Sequence, residues 1–223
     1  MIEKKIELAG RELKIETGTL AKQASGSVLV TMGETVVLVA VTANPGVAED
    51  RGFFPLSVDY REKFYASGRI PGGFFKREAR PSESEIIACR ITDRPLRPLF
   101  PKGFYNEVQV AINVLSYDGE NEADLLGTIG ASTALAISDI PWDGPVASVR
   151  VGKIDGKYVV NPSKTDMEES EMEVIVSGTE DSIIMVEGEA NFISEDTFLS
   201  GIMYAHEAIK DIISMQNSLV EEC

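Results

Sequence analysis

The run Val36-Val37-Leu38-Val39-Ala40-Val41 constrains the fold more than any other feature of the chain. Four of its six residues are β-branched, which favours a pleated strand over a helix. It follows Met32-Gly33-Glu34, a turn signal placed after the apolar stretch Ser27–Thr31. A hairpin of two strands, Ser27–Thr31 and Thr35–Thr42, is therefore expected. The apolar run is continuous rather than alternating, so the second strand is expected to be buried on both faces. The rest of the chain must supply that cover.

The remaining periodicities provide it. Lys5–Leu8 and Leu13–Thr17 read as short strands around Ala9-Gly10, and Leu56–Arg61 as another. Lys63–Pro81 has no period and reads as a long loop, a length that points to function or disorder. Ser82-Glu83-Ser84-Glu85 fits a capping box, so a helix is expected from there. Pro95 and Pro98 forbid its regular continuation. Val108–Tyr117 alternates as a strand, and Glu122–Ile137 suits a buried helix. Within it, Gly127-Thr128-Ile129-Gly130-Ala131-Ser132 lacks the spacing of a nucleotide-binding loop and reads as close helix–sheet packing. Val146–Ile154 and Tyr158–Val160 flank the turn dipeptide Asp155-Gly156. Glu171–Ser177 and Ile183–Glu187 are two more strands. Ser194 opens a final helix whose apolar face is Leu199, Ile202, Met203, Ala205, Ile209, Ile212 and Ile213. This order predicts one α+β domain with helices packed on mixed sheets.

Charge divides the chain unevenly. Residues 1–60 carry 6 Lys/Arg against 8 Asp/Glu, residues 61–102 carry 10 against 5, and residues 103–223 carry 5 against 23. The middle window, net +5, stands inside a chain of net charge -15. An acidic surface of that size repels nucleic acid at long range, so any nucleic-acid site must be local and must lie in the middle window. The start, Met1-Ile2-Glu3-Lys4-Lys5-Ile6-Glu7, lacks the apolar stretch of a secretory signal, and no run of 18 apolar residues exists. Cys89 and Cys223 give neither a disulfide framework nor metal-ligand spacing, so a reduced, cytoplasmic protein without membrane attachment is expected.

The middle window holds Phe74-Phe75-Lys76-Arg77 behind Gly72-Gly73, then Arg80, then Arg90, Arg94 and Arg97. Two rings beside two cations can stack on unpaired bases and hold phosphates. The alternative is that the rings enter the core and the cations face water. Arg90, Arg94 and Arg97 can bind a phosphate through their planar forks, or can form an internal network with Asp93 as partner. Asp166, Glu168, Glu169, Glu171 and Glu173 suggest oxygen ligands for a metal less well than a solvated acidic face, because no defined ion-binding loop is present. His206 has no nucleophile context, so a triad is not expected.

The stretches Gly72–Glu78, Arg80–Glu83, Arg90–Pro101 and Gly103–Val110, extended by Gly130–Ser138 and Val186–Asp196, resemble the first domain of the bacterial polynucleotide phosphorylases. The resemblance covers essentially the whole chain. It implies an RNase PH-like fold (ribosomal protein S5 domain 2-like), a ring-shaped homotrimer, and single-stranded RNA threading a central channel. It also implies 3′-to-5′ phosphorolytic release of nucleoside diphosphates in mRNA turnover by the complete protein. That protein uses inorganic phosphate as co-substrate and a divalent metal such as Mg, and RNA-degradosome components are implied partners. The family continues with a helical linker, a second RNase PH-like domain and KH and S1 domains, none of which is in this sequence, so a piece of a longer protein is expected.

In that family the second RNase PH-like domain carries the chemistry, with a serine-rich phosphate loop, two Asp and a Lys. Alignment on the shared Gly-Ala-Ser segment puts Glu122, Ala123 and Asp124 at the serine positions. Glu173 replaces one Asp, while Met167 and Ile175 fall at the other Asp and the Lys. Two of the three residues at the serine positions would repel phosphate. The chain is therefore expected to have no catalytic residues, to bind no metal and to be inactive alone. The family's channel loop corresponds to residues 63–81. The RNA-gripping residues are implied to be Phe74, Phe75, Lys76, Arg77 and Arg80, with Lys76 keeping charge but losing the fork of Arg. Two other readings stand beside this one: an assembly module whose RNA contact is incidental, and a stand-alone phosphorolytic enzyme.

Overall fold

The computed structural model describes residues 1–46, 49–50, 52–73 and 78–223. The first half builds a six-stranded sheet from β1 (Ile2–Leu8), β2 (Arg11–Thr17), β3 (Gly26–Met32), β4 (Thr35–Ala43), β5 (Leu56–Arg61) and β6 (Val108–Ser116). Its order is β1-β2-β3-β4-β6-β5, antiparallel except for the parallel pair of β5 and β6. The parallel pair needs a crossover, and α1 (Glu83–Leu96) lies within it and packs on β5. The second half builds an antiparallel sheet of order β10-β9-β7-β8 from β7 (Ala147–Ile154), β8 (Lys157–Val160), β9 (Met172–Gly178) and β10 (Ile183–Ala190). Between the sheets lie α2 (Ala123–Ala136), which packs on β3, β4 and β7, and α4 (Glu195–Val220), which packs on β1, β7 and β9. A four-residue helix, α3 (Lys164–Met167), joins β8 to β9.

α2 is covered on all sides, with Leu125 through Leu135 buried without a break. Its glycines set the distance to the sheet. A Cβ on Gly130 would come within 2.6 Å of Val39 Cγ2 and 3.0 Å of Val30 Cγ2, and one on Gly127 within 3.0 Å of Ile112 Cγ2. The small-residue segment thus serves the close packing that its composition implies. Gln216 of α4 donates to Ile129 O and Thr133 Oγ1 of α2, both at 3.1 Å, so the two central helices are also joined by polar bonds.

Several expectations are revised. β4 is buried on one face only: Val37, Val39 and Val41 are fully covered by α2, whereas Val36, Leu38 and Ala40 are half-buried on the outer face of the sheet. The capping box is present, with Ser82 Oγ accepting from Glu85 N–H at 3.2 Å and Glu85 Oε2 accepting from Ser82 N–H at 2.6 Å. α1 nevertheless runs through Pro95 to Leu96, because a proline near a helix C-terminus forfeits only one backbone bond. A single 3-10 turn, Arg97–Leu99, follows. The 63–81 segment is not wholly irregular, since Phe64–Ser67 form another 3-10 turn. In α4, Leu199 and Met203 are exposed, and the buried stripe begins at Gly201 and Ala205 and extends to Met215 and Leu219. No helix among the described residues is long and apolar enough to cross a membrane.

Candidate functional site

Two regions carry chemistry-bearing side chains. The first is a cleft of about 560 Å³ between the N-terminus of α2, the side of α1 and the β9–β10 edge. Its floor is apolar (Ile87, Ile91, Ile175) and its walls are acidic (Glu62, Glu122, Asp124, Glu173, Glu187, Glu189), with Arg150 between them. Arg150 projects from β7, one strand from Glu173 on β9, because the register pairs Arg150 with Ile175 and Gly152 with Glu173. Its guanidinium is nearly buried, at 11% exposure. Nη2 bonds Asp124 Oδ2 at 3.2 Å, and Nη1 lies 3.6 Å from Glu122 Oε1. Nε lies 3.3 Å from Glu173 Oε1, yet outside hydrogen-bond geometry. One cation thus bridges three carboxylates.

A second set of bonds fixes this arrangement. Arg150 N–H donates to Asn161 Oδ1 at 2.8 Å, and Arg11 donates to Asn121 Oδ1 at 2.6 Å and to the Asn161 carbonyl. Asn121 immediately precedes Glu122, the residue that caps α2 without a side-chain bond. Burial pushes the Glu122 carboxyl above its usual range, while Arg150 pulls it back. Burial also pushes the Tyr60 hydroxyl far up, aided by Glu62, whose Oε2 accepts from it at 3.0 Å.

The alignment positions fall here: Glu122, Asp124, Glu173 and Ile175 all line the cleft, while Met167 lies in α3 outside that lining. A phosphate nucleophile needs donors or cations that stabilise charge at the transferring group. This cleft offers one cation already spent on three acids. Nor does the donor set fit a divalent metal, since the Arg150 guanidinium stands where a cation would have to bind Glu122, Asp124 and Glu173. Among the described residues no group of three or more His, Cys, Asp or Glu is arranged to hold a metal ion.

The second region is the middle window. Phe74, Phe75, Lys76 and Arg77 lie outside the described residues. Arg80 is exposed in the bend ahead of α1. Of the three arginines on the following segment, Arg97 is tied into a structural network though its side chain is still partly exposed. Its Nε and Nη2 grip Asp93 at 2.9 and 2.6 Å, its Nη1 and Nη2 donate to Phe54 O and Leu56 O, and it lies 5.8 Å from the Phe54 ring centroid. The Asp93 network offered as the alternative to a phosphate site is therefore what Arg97 makes. Arg94 pairs with Glu187 across to β10. Arg90 is exposed, with no ion pair among the described residues. The three do not converge on one site.

The spacing of the residues gave no notice of Arg150, since its partners approach only through the β7–β9 pairing and the placement of α2. A groove lined by Lys63, Arg69 and Lys164 is likewise a product of the fold.

Comparison with known proteins places this geometry. Residues 9–141 match the model of the 3′ exoribonuclease family, domain 1, and residues 144–208 that of the same family, domain 2. Among curated proteins, the chain is 57% identical over 217 residues to a polyribonucleotide nucleotidyltransferase of Thermomicrobium roseum, covering 97% of this chain and 28% of that protein. It is 54% identical over 216 residues to that of Natranaerobius thermophilus (97% and 30%) and 49% over 214 residues to that of Geotalea uraniireducens (96% and 31%). The chain thus spans less than a third of the length of these relatives. Among solved structures, rice (Oryza sativa) Rrp46 superposes with a TM-score of 0.73 at 16% identity, over 92% of this chain and 94% of that one, a likeness of fold.

Proposed function

The chain belongs to the 3′ exoribonuclease family and has its RNase PH fold, and from that premise we propose that it is the first RNase PH-like domain of a polynucleotide phosphorylase. In this reading it receives single-stranded RNA and guides it, as part of a cytoplasmic ring of three, toward a catalytic domain elsewhere in the complete protein. Inorganic phosphate and a divalent metal belong to that other domain.

The observation that carries the reading is an opposition of charge. Two of the three residues aligned with a phosphate loop, Glu122 and Asp124, are acids locked on Arg150, whereas the described cations of the only cation-rich window, 61–102, lie outside the lining of that cleft, in a window that also contains paired aromatic and basic residues. A polyanion is repelled by the first and attracted by the second. Three-fold assembly would gather three such windows and raise the local positive charge inside an otherwise acidic particle.

The test is the double variant Phe75→Ala/Arg77→Ala. Losing a stacked base costs roughly 1–3 kcal/mol, so affinity for single-stranded oligoadenylate at moderate salt is expected to fall at least about tenfold. Unchanged affinity would remove the channel-loop reading.

A further inference from the structure

We propose that a groove at the root of the 63–81 segment is a second contact for single-stranded RNA, taking backbone phosphate on Lys63, Arg69 and Lys164 and stacking a base on Phe64. It rests on the channel reading above and extends the RNA path beyond residues 74–77. The groove has a volume of about 530 Å³, a size that suits a nucleotide. Lys63 and Arg69 flank the 3-10 turn Phe64–Ser67, and Lys164 reaches the same groove from α3.

The groove lining carries three cations, Lys63, Arg69 and Lys164, against two acids, Glu62 and Asp118, and both acids are engaged by hydrogen bonds. Asp118 accepts four bonds, from the backbone N–H groups of Glu34, Glu120 and Asn121 and from the Asn121 side-chain amide, at 2.6–3.1 Å. Burial alone would raise the Asp118 carboxyl; these donors hold it at about 2 instead. Glu62 accepts from the Tyr60 hydroxyl. Lys63, Arg69 and Lys164 are all exposed and make no ion pair among the described residues. In a chain with 36 acidic and 21 basic residues, a groove lined by more cations than acids, with none of those cations in an ion pair among the described residues, is against the average. Their free donors suit phosphate oxygens, and the Arg69 fork can take two at once.

The aromatic component is exposed as well. Phe64 is 45% and its neighbour Tyr65 54% exposed, on a turn that is nonetheless held firmly. Ala66 is buried and its carbonyl accepts from Tyr117 N–H at 2.9 Å, while Arg69 N–H donates to Phe64 O at 2.9 Å. Phe64 N–H donates to Glu78 Oε1 at 2.9 Å. Glu78 directly follows residues 74–77 in the sequence, so this bond anchors the groove's turn next to the loop segment along the chain. A fixed, half-exposed ring beside phosphate-binding cations is the arrangement used for sequence-tolerant binding of single strands.

The experiment compares the 223-residue chain with Lys63→Ala/Arg69→Ala/Lys164→Ala and with Phe64→Ala, titrated with a fluorescent oligoadenylate of about ten nucleotides. The triple variant is expected to lose at least about tenfold in affinity. Its dependence of log K on log salt should flatten by about 2, at roughly 0.7 per lost phosphate contact. Phe64→Ala should weaken binding with the salt slope unchanged. All four side chains are exposed, and circular dichroism confirms that the variants fold. A triple variant with wild-type affinity and slope would overturn the proposal, as would a wild-type chain that binds no oligoadenylate at low salt. Competition by ADP equal to that of the oligomer, nucleotide for nucleotide, would overturn the strand assignment in favour of a mononucleotide pocket. Phe75→Ala/Arg77→Ala measured alongside separates the two readings. Loss there with none in the triple variant removes the groove alone; loss in the triple variant with none there removes the loop and leaves the groove.

Discussion

Replacing Arg150 with alanine is expected to lower the unfolding free energy by roughly 3 kcal/mol, read as a shift of the urea midpoint. The guanidinium is nearly buried and is the shared partner of Glu122, Asp124 and Glu173. Removing it leaves Asp124, itself only 15% exposed, as an unpaired charge at the N-terminus of α2. Glu122 and Glu173 are wetter, at 32% and 44%, and can turn to solvent, which keeps the loss at the lower end for a broken buried pair. The pH dependence has a definite sign. Burial already raises the Glu122 carboxyl and Arg150 opposes that rise, so the variant raises it further. An acid whose folded pKa is raised costs stability above that pKa, and the cost fades as pH falls through it. The deficit should therefore be smaller near pH 5 than near pH 8. Arg150→Lys should recover only part of it, because an ammonium cannot bridge three carboxylates as a planar fork does.

Gly26→Ala is expected to cost roughly 2–3 kcal/mol. Gly26 opens β3 where the strand passes under the C-terminal end of α2. A Cβ there would overlap the Ala134 carbonyl oxygen and stand 3.0 Å from its carbon and 3.2 Å from Ser138 Cβ. The obstructing atoms are backbone of a helix clamped between two sheets, so relief requires α2 to shift against β3 and β4 together. Gly72→Ala is the control: nothing lies within 4 Å of its added Cβ, and its midpoint should stay within about 0.5 kcal/mol of the parent. A Gly26→Ala midpoint equal to that of Gly72→Ala would show that the two layers are looser than these distances imply.

Much of this was legible in the sequence because it is local. The hairpin at Gly33, the capping box at Ser82 and the small-residue face of α2 each depend on residues a few positions apart. The charge window 61–102 needed only counting. What was not legible depends on distant segments meeting. Arg150 meets Glu173 through the β7–β9 register and meets Glu122 and Asp124 through the seat of α2, none of which spacing reveals. Lys164 joins Lys63 and Arg69 only after the two halves pack. The α4 stripe showed which residues are apolar but not that Leu199 and Met203 lack cover. For β4, a continuous apolar run suggested two covered faces, yet α2 covers only one. The three arginines of α1 and its 3-10 extension looked alike in sequence and separate in the fold, with Arg97 networked to Asp93 and backbone carbonyls, Arg94 paired to β10 and Arg90 exposed.

In the proposed role this chain handles RNA without cleaving it, since Glu122 and Asp124, at the positions aligned with the phosphate loop, are acids bound to Arg150. The most direct measurement incubates the purified chain with a 5′-labelled single-stranded RNA, inorganic phosphate and Mg²⁺, and follows RNA length and nucleoside diphosphate release together. The expected result is RNA of unchanged length and no phosphate-dependent diphosphate. Progressive shortening from the 3′ end with phosphate-dependent release of nucleoside diphosphates would contradict the claim.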